Sequence, residues 1–230
     1  MNAAIAANLA AVHARIEAAA VRVGRSAADV ALLAVSKTHP AAAVRAAWQC
    51  GQRAFGENRV QELAAKAHDL ADLAGLQWHL IGSLQTNKVR ELLAVPNVAL
   101  LHSLDRARLA DELQRELARS ARRLDVLLQV NASGEASKHG CAPDDAPALL
   151  EHVQQRAPNL VVQGLMAMGP LDGDPAPVFA RAATLRDRLR GTSGLSLPVL
   201  SLGMSGDLDA AVAAGSTLVR IGTAVFGQRG

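Results

Sequence analysis

Residues 201–227 read SLGMSGDLDAAVAAGSTLVRIGTAVFG. An apolar run ends at Gly203, and a glycine turn, a short helical stretch and a second apolar run, TLVRIG at 217–222, follow. Strand, helix, strand is the unit of a parallel sheet, because two parallel strands need a long crossover that a helix supplies. The unit recurs along the chain. Apolar runs stand at 31–37 (ALLAVSK), 53–58 (RAFGEN), 77–83 (QWHLIGS), 98–104 (VALLHSL), 124–131 (LDVLLQVN), 160–166 (LVVQGLM), 198–203 (PVLSLG) and 217–222. Helical patterns lie between them, as in DRARLADELQRELARSAR at 105–122, with apolar residues three and four apart. Near-continuous apolar runs mark strands buried on both faces. Eight of them predict an α/β fold, a single (β/α)8 TIM barrel spanning residues 1–230. A doubly wound open sheet is the alternative, but its Gly-x-Gly-x-x-Gly turn does not occur.

The residues before the first run predict an extra N-terminal helix over 2–23, and the few residues after Gly222 leave no room for an eighth following helix. The N-terminal helix is therefore expected to cover that gap. It carries His13, Arg15 and Glu17 at helical spacing and reads as amphipathic, not as a signal peptide. No uncharged run is long and apolar enough to span a membrane. Two cysteines, Cys50 and Cys141, make neither a disulfide framework nor a metal motif, and a cytoplasmic protein is expected. Net charge is +3, and the arginines alternate with acids on helical stretches. That pattern reads as solvated helix faces, with neither nucleic acid nor membrane as partner.

In such a barrel the functional face is the C-terminal end of the strands. Lys37, Glu57, Asn58, Gly82, Asn131, Met166, Ser205, Gly222 and Thr223 all fall there. Leu33, Val35 and Lys37 alternate onto one side of the first strand. A lysine amine confined there is held poorly solvated, which lowers its pKa and frees it to attack a carbonyl. The loops after strands seven and eight are the usual phosphate cradle of these barrels, and Ser205 and Thr223 put hydroxyls in them. Arg220 interrupts a strand that must be buried, so its guanidinium needs an acceptor in the protein or in a ligand. An amine, a phosphate cradle and an arginine on one face suit pyridoxal 5′-phosphate (PLP).

The blocks LLAVSKTHP, FGENRVQE, WHLIGSLQTNK, HSLD, GLMAM and 201–227 appear in order over nearly the whole chain. They resemble the pyridoxal-phosphate homeostasis proteins, also described as proline synthase co-transcribed proteins. The resemblance implies a barrel like the N-terminal domain of alanine racemase, with PLP as a Schiff base on Lys37. It implies phosphate contacts from Ser205, Gly222 and Thr223, Arg220 near the pyridine nitrogen, Asn58 beside the ring, and Met204 and Met166 lining the pocket. Ser83, Arg59 and Gly169 depart from the family pattern, in which proline, tyrosine and proline are usual.

The implied role is a non-catalytic carrier in intracellular PLP homeostasis, with apo forms of PLP-dependent enzymes as candidate recipients. A PLP-dependent amino-acid racemase is the alternative. A two-base racemase needs an acid/base opposite the lysine. In the related racemases that group is a tyrosine from an additional domain of the partner subunit, and this chain has no tyrosine. His79, His102 and Cys141 are substitutes only in principle. A monomer is expected, since no dimerising domain is apparent.

Overall fold

A computed structural model describes residues 2–135 and 137–228. The eight apolar runs form β1 (Ala31–Val35), β2 (Ala54–Glu57), β3 (Gln77–Leu80), β4 (Val98–Leu104), β5 (Leu124–Gln129), β6 (Leu160–Met166), β7 (Val199–Ser201) and β8 (Leu218–Ile221). They close into a parallel barrel in chain order, with β8 returning to β1. Seven helices follow the first seven strands on the outside: α2 (Ala41–Gln49), α3 (Val60–Asp69), α4 (Val89–Ala94), α5 (Ala107–Ala118), α6 (Ala146–Arg156), α7 (Ala176–Ser193) and α8 (Leu208–Ala213).

Register decides which side chains enter the barrel, because paired residues on parallel neighbours share a face. Leu33 lies opposite Arg220, Val35 opposite Gly56, and Gly56 opposite His79. That face is the interior, where Leu100, Leu127 and Met166 form a small separate cluster. The alternate residues, among them Leu32, Ala34, Phe55, Leu101, Val126 and Ile221, build the larger core between sheet and helices. Phe55 and Trp78 anchor it, fully buried with ring centroids 6.1 Å apart. Truncating either to alanine is worth about 3–5 kcal/mol of stability.

The N-terminal helix α1 (Asn2–Arg22) buries Ile5, Leu9, Val12, Ile16, Ala19 and Ala20, one stripe at three- and four-residue spacing. That stripe packs on α2, α8 and a one-turn helix, α9 (Thr223–Phe226). The expectation of no helix after the eighth strand is thus corrected. One turn fits before Gly227, whose φ of 88° ends it, and α1 lies across it as the cover. By length and composition α1 is apolar enough to cross a membrane, but Arg15 and Glu17 interrupt it and its apolar stripe is spent on the barrel.

Two glycines allow the loops at the mouth to close up. A Cβ on Gly82 would stand 2.1 Å from the Asn58 carbonyl oxygen. Gly203 has a φ of 86°, and a Cβ there would meet the Ala211 methyl at 2.5 Å.

Candidate functional site

All seven singled-out residues lie at the C-terminal mouth or, for Arg220, just inside it. Lys37 follows β1 and is half-buried. Asn58 follows β2 and is half-buried against the Gly82 loop. Ser205 follows β7, while Gly222 and Thr223 follow β8. Among the described residues, neither the Ser205 nor the Thr223 hydroxyl bonds to another protein group, so both are open to a ligand. Met166 is buried in the interior cluster, whereas Met204 is an exposed rim residue whose N–H is capped by Asp207 Oδ1 at 2.6 Å.

Arg220 is buried with no carboxylate in ion-pair range among the described residues. Its Nη1 donates to the Ser201 carbonyl and to Ser201 Oγ, both at 2.7 Å, and its Nη2 donates to the Ala167 carbonyl at 3.0 Å. Burial lowers the guanidinium to about 10, with Asp207 pulling the other way, so it stays charged at neutral pH. A salt bridge within the protein, the structural alternative for this residue, is not what holds it. A charged donor set facing only neutral acceptors is suited to a ligand acceptor at the mouth.

A relay runs from Arg220 deeper into the barrel. Ser201 Oγ accepts from Arg220, which leaves its own hydrogen for His102 Nδ1 at 3.2 Å. His102 then carries its proton on Nε2 and donates to His79 Nδ1 at 3.0 Å. Burial lowers His79 to about 4 and holds His102 well below the ordinary imidazole value, the latter aided by His79 and Arg220, so both rings are neutral. They are spoken for by each other, and the Cys141 thiol is pushed up to about 11 by burial. None of the three is poised as an acid/base.

These histidines have a consequence for stability. Between pH 6.5 and 4 the unfolded chain binds protons on both imidazoles that the folded chain refuses, so stability falls as pH drops. Glu57, raised by burial to about 7, opposes this by keeping a proton that the unfolded chain releases above pH 4.5. Two groups outweigh one, and the net loss from pH 6.5 to 5 is about 1–2 kcal/mol. Urea unfolding at the two pH values measures it. His79→Gln is expected to bring the difference close to zero, and a wild-type midpoint that is flat or higher at pH 5 would contradict neutral buried imidazoles.

Sequence reasoning missed how the mouth is held. Arg15 on α1 donates to the Ser205 carbonyl at 2.6 Å and pairs with Asp209 on α8, which Arg22 also engages. Asn8 of the same helix donates to the Val225 carbonyl at 3.0 Å. One helix thus fastens both hydroxyl-bearing loops. The amphipathic pattern of α1 announces its apolar stripe, but nothing in it says which loop a surface arginine reaches. Arg15→Ala is expected to weaken phosphate-ester binding at the mouth by roughly three- to tenfold, the loss of one charge-assisted bond to a positioning carbonyl. Isothermal titration measures it, and unchanged affinity would show that the loop holds itself. Also missed was an ionic cluster behind Lys37, formed by Glu57, Glu62 and Lys66.

The alanine racemase N-terminal domain family matches residues 7–230. The pyridoxal phosphate homeostasis protein of Pseudomonas aeruginosa is 51% identical over 98% of this chain and 96% of its own length. The human protein of the same name is 43% identical over 96% of this chain and 85% of its own. PipY of Synechococcus elongatus, solved with PLP bound, superposes with a TM-score of 0.83 at 39% identity, covering 97% of this chain and all of PipY. Alanine racemase of Corynebacterium glutamicum shares the fold, with a TM-score of 0.70 at 18% identity over 98% of this chain and 61% of the racemase. With a closed (β/α)8 barrel, a family match over residues 7–230 and near-full-length relatives at this identity, the chain belongs to the pyridoxal phosphate homeostasis protein family.

Proposed function

We propose that the chain binds pyridoxal 5′-phosphate at the barrel mouth and acts in PLP homeostasis as a carrier without strong catalysis of its own. The observation that carries this is the set of groups that the barrel gathers on one face. A half-buried lysine ends β1, two unbonded hydroxyls stand on the loops after β7 and β8, and a buried arginine meets no carboxylate. These residues fit the cofactor, which brings an aldehyde that condenses with a lysine amine, losing water, to a Schiff base. Lys37 is the attachment point in this reading. Ser205, Thr223 and the Gly222 backbone would bind the phosphate, Asn58 would stand beside the ring, and Met166 and Met204 would line the pocket.

Arg220 supports the carrier role. In this reading it faces the ring nitrogen, and a permanently charged donor there disfavours a second positive charge on that nitrogen. A ring kept unprotonated withdraws electrons weakly, so proton removal from a bound amino acid is poorly supported. The neutral, mutually bonded His79 and His102 offer no second base. One copy of the chain is the working unit in this reading, and apo PLP-dependent enzymes in the cytoplasm are the recipients.

The test is a titration of purified protein with PLP, read as a visible absorbance band, beside an assay of alanine racemisation. Saturable appearance of the band without measurable racemisation is the expected result. Turnover at ordinary enzyme rates, about 1–1,000 per second, would restore the racemase.

A further inference from the structure

The proposed function uses Lys37 but leaves idle the ionic cluster behind it. Glu57 on β2 and Glu62 and Lys66 on α3 meet between sheet and helix. Lys66 Nζ donates to Glu57 Oε1 at 2.7 Å, to Glu62 Oε1 at 2.8 Å and to the Ser36 carbonyl at 2.7 Å. Glu57 Oε1 also accepts from Ser36 Oγ at 2.6 Å, and Glu62 Oε1 accepts from the Thr38 N–H at 2.5 Å. Glu57 is fully buried and Lys66 nearly so. Burying such a pair stabilises a fold little, because desolvation offsets the attraction. Here Glu57 Oε2 has no partner among the described residues, and burial raises the carboxyl despite Lys66.

What the cluster does hold is specific. Among the described residues, it sends side-chain hydrogen bonds to Ser36 and Thr38, the two chain neighbours of Lys37. The Ser36 N–H continues the ladder to the Gly56 carbonyl, and the His39 N–H returns to the Ser36 carbonyl. Residues 36–39 are therefore a tight turn with Lys37 second and Thr38 third. Thr38 has a φ of 68°. The third position of a type II turn takes that conformation and normally takes glycine, and a residue with a Cβ pays roughly 1–2 kcal/mol there. Such strain persists only where the surroundings over-determine it. The Glu62 carboxylate on the Thr38 N–H and the Lys66 ammonium on the Ser36 carbonyl supply that constraint.

We propose that Glu57, Glu62 and Lys66 are positioning residues that lock the 36–39 turn and so aim the Lys37 amine into the barrel mouth. This rests on the reading of Lys37 as the attachment point. Releasing the turn lets the amine sample other directions, which lowers its effective concentration at the site without touching the loops after β7 and β8.

The experiment compares full-length wild type, Glu62→Ala, Glu62→Gln, and Thr38→Gly with and without Glu62→Ala. Glu62 lies on the partly exposed edge of the cluster, and its removal leaves Lys66 paired with Glu57. Far-UV circular dichroism checks each fold. Two probes separate aiming from binding: PLP, followed by the rate at which the visible band appears, and pyridoxine 5′-phosphate, which has an alcohol in place of the aldehyde. Glu62→Ala is expected to slow PLP attachment about tenfold while pyridoxine 5′-phosphate affinity stays within about twofold. Glu62→Gln keeps an acceptor for the Thr38 N–H and is expected to recover most of the rate. Glycine accepts positive φ without a clamp, so in the Thr38→Gly background the Glu62→Ala loss should shrink below about threefold. Attachment by Glu62→Ala at the wild-type rate, equal losses for both probes, or an undiminished loss in the glycine background would overturn the proposal. A wild type that attaches PLP elsewhere than Lys37 would instead fail the functional reading on which it rests.

Discussion

Lys37→Ala is expected to abolish the borohydride-reducible visible band while leaving pyridoxine 5′-phosphate binding close to that of wild type. The side chain is half-buried on a turn whose hydrogen bonds run through the Ser36 and Thr38 neighbours. Its truncation removes the reacting amine and leaves those bonds to Ser36 and Thr38 in place, and far-UV circular dichroism checks that the fold is kept. The other lysines are not replacements. Lys66 is consumed by Glu57, Glu62 and Ser36, Lys88 pairs with Glu91, and Lys138 donates to the Gly169 carbonyl. Absorbance before and after reduction reads the result, and a surviving reducible band in the variant would move the attachment point.

The second large effect falls on the phosphate. Ser205→Ala combined with Thr223→Ala removes two hydroxyl donors to a charged acceptor, worth roughly 1.5–3 kcal/mol each when fully engaged. If the two act independently, PLP affinity falls roughly 100- to 10,000-fold. Pyridoxal, which has no phosphate, serves as the internal control and should lose little. The two hydroxyls satisfy nothing else in the described protein, so the fold has no stake in them and the comparison is clean. Equal losses for PLP and pyridoxal would reject the cradle.

Most of the fold is legible in the chain. All eight apolar runs became strands, because strands buried on both faces must be apolar throughout, and that signal is local. Their ends were overextended: 124–131 shortened to Leu124–Gln129 and 198–203 to Val199–Ser201, since loop residues after a strand can be as apolar as the strand itself. The helix pattern at 105–122 shortened to Ala107–Ala118 for a related reason, as Arg119 to Arg122 keep helical composition after the turn has begun. Position at a strand end placed Lys37, Asn58, Ser205, Gly222 and Thr223 at the mouth, but it misplaced Glu57, whose side chain turns between sheet and helix to Lys66, because position does not set side-chain direction.

What was not legible is nonlocal. That Arg220 bonds to Ser201 and Ala167 depends on register across β6, β7 and β8. That His79 and His102 face each other depends on a register shift between β3 and β4. The one local signal for the cluster behind Lys37 was Glu62 four residues before Lys66, the favourable order for a helical ion pair. The pair reads as an ordinary surface contact until the barrel brings Glu57 and Ser36 to it.

The central claim is that one lysine, at the end of β1, holds the cofactor. Wild-type protein loaded with PLP, reduced with borohydride, digested and mapped by mass spectrometry tests it most directly. The account predicts a single phosphopyridoxyl label, on the peptide containing Lys37, at close to one per chain. A label on Lys66, Lys88 or Lys138, with Lys37 unmodified, would contradict it.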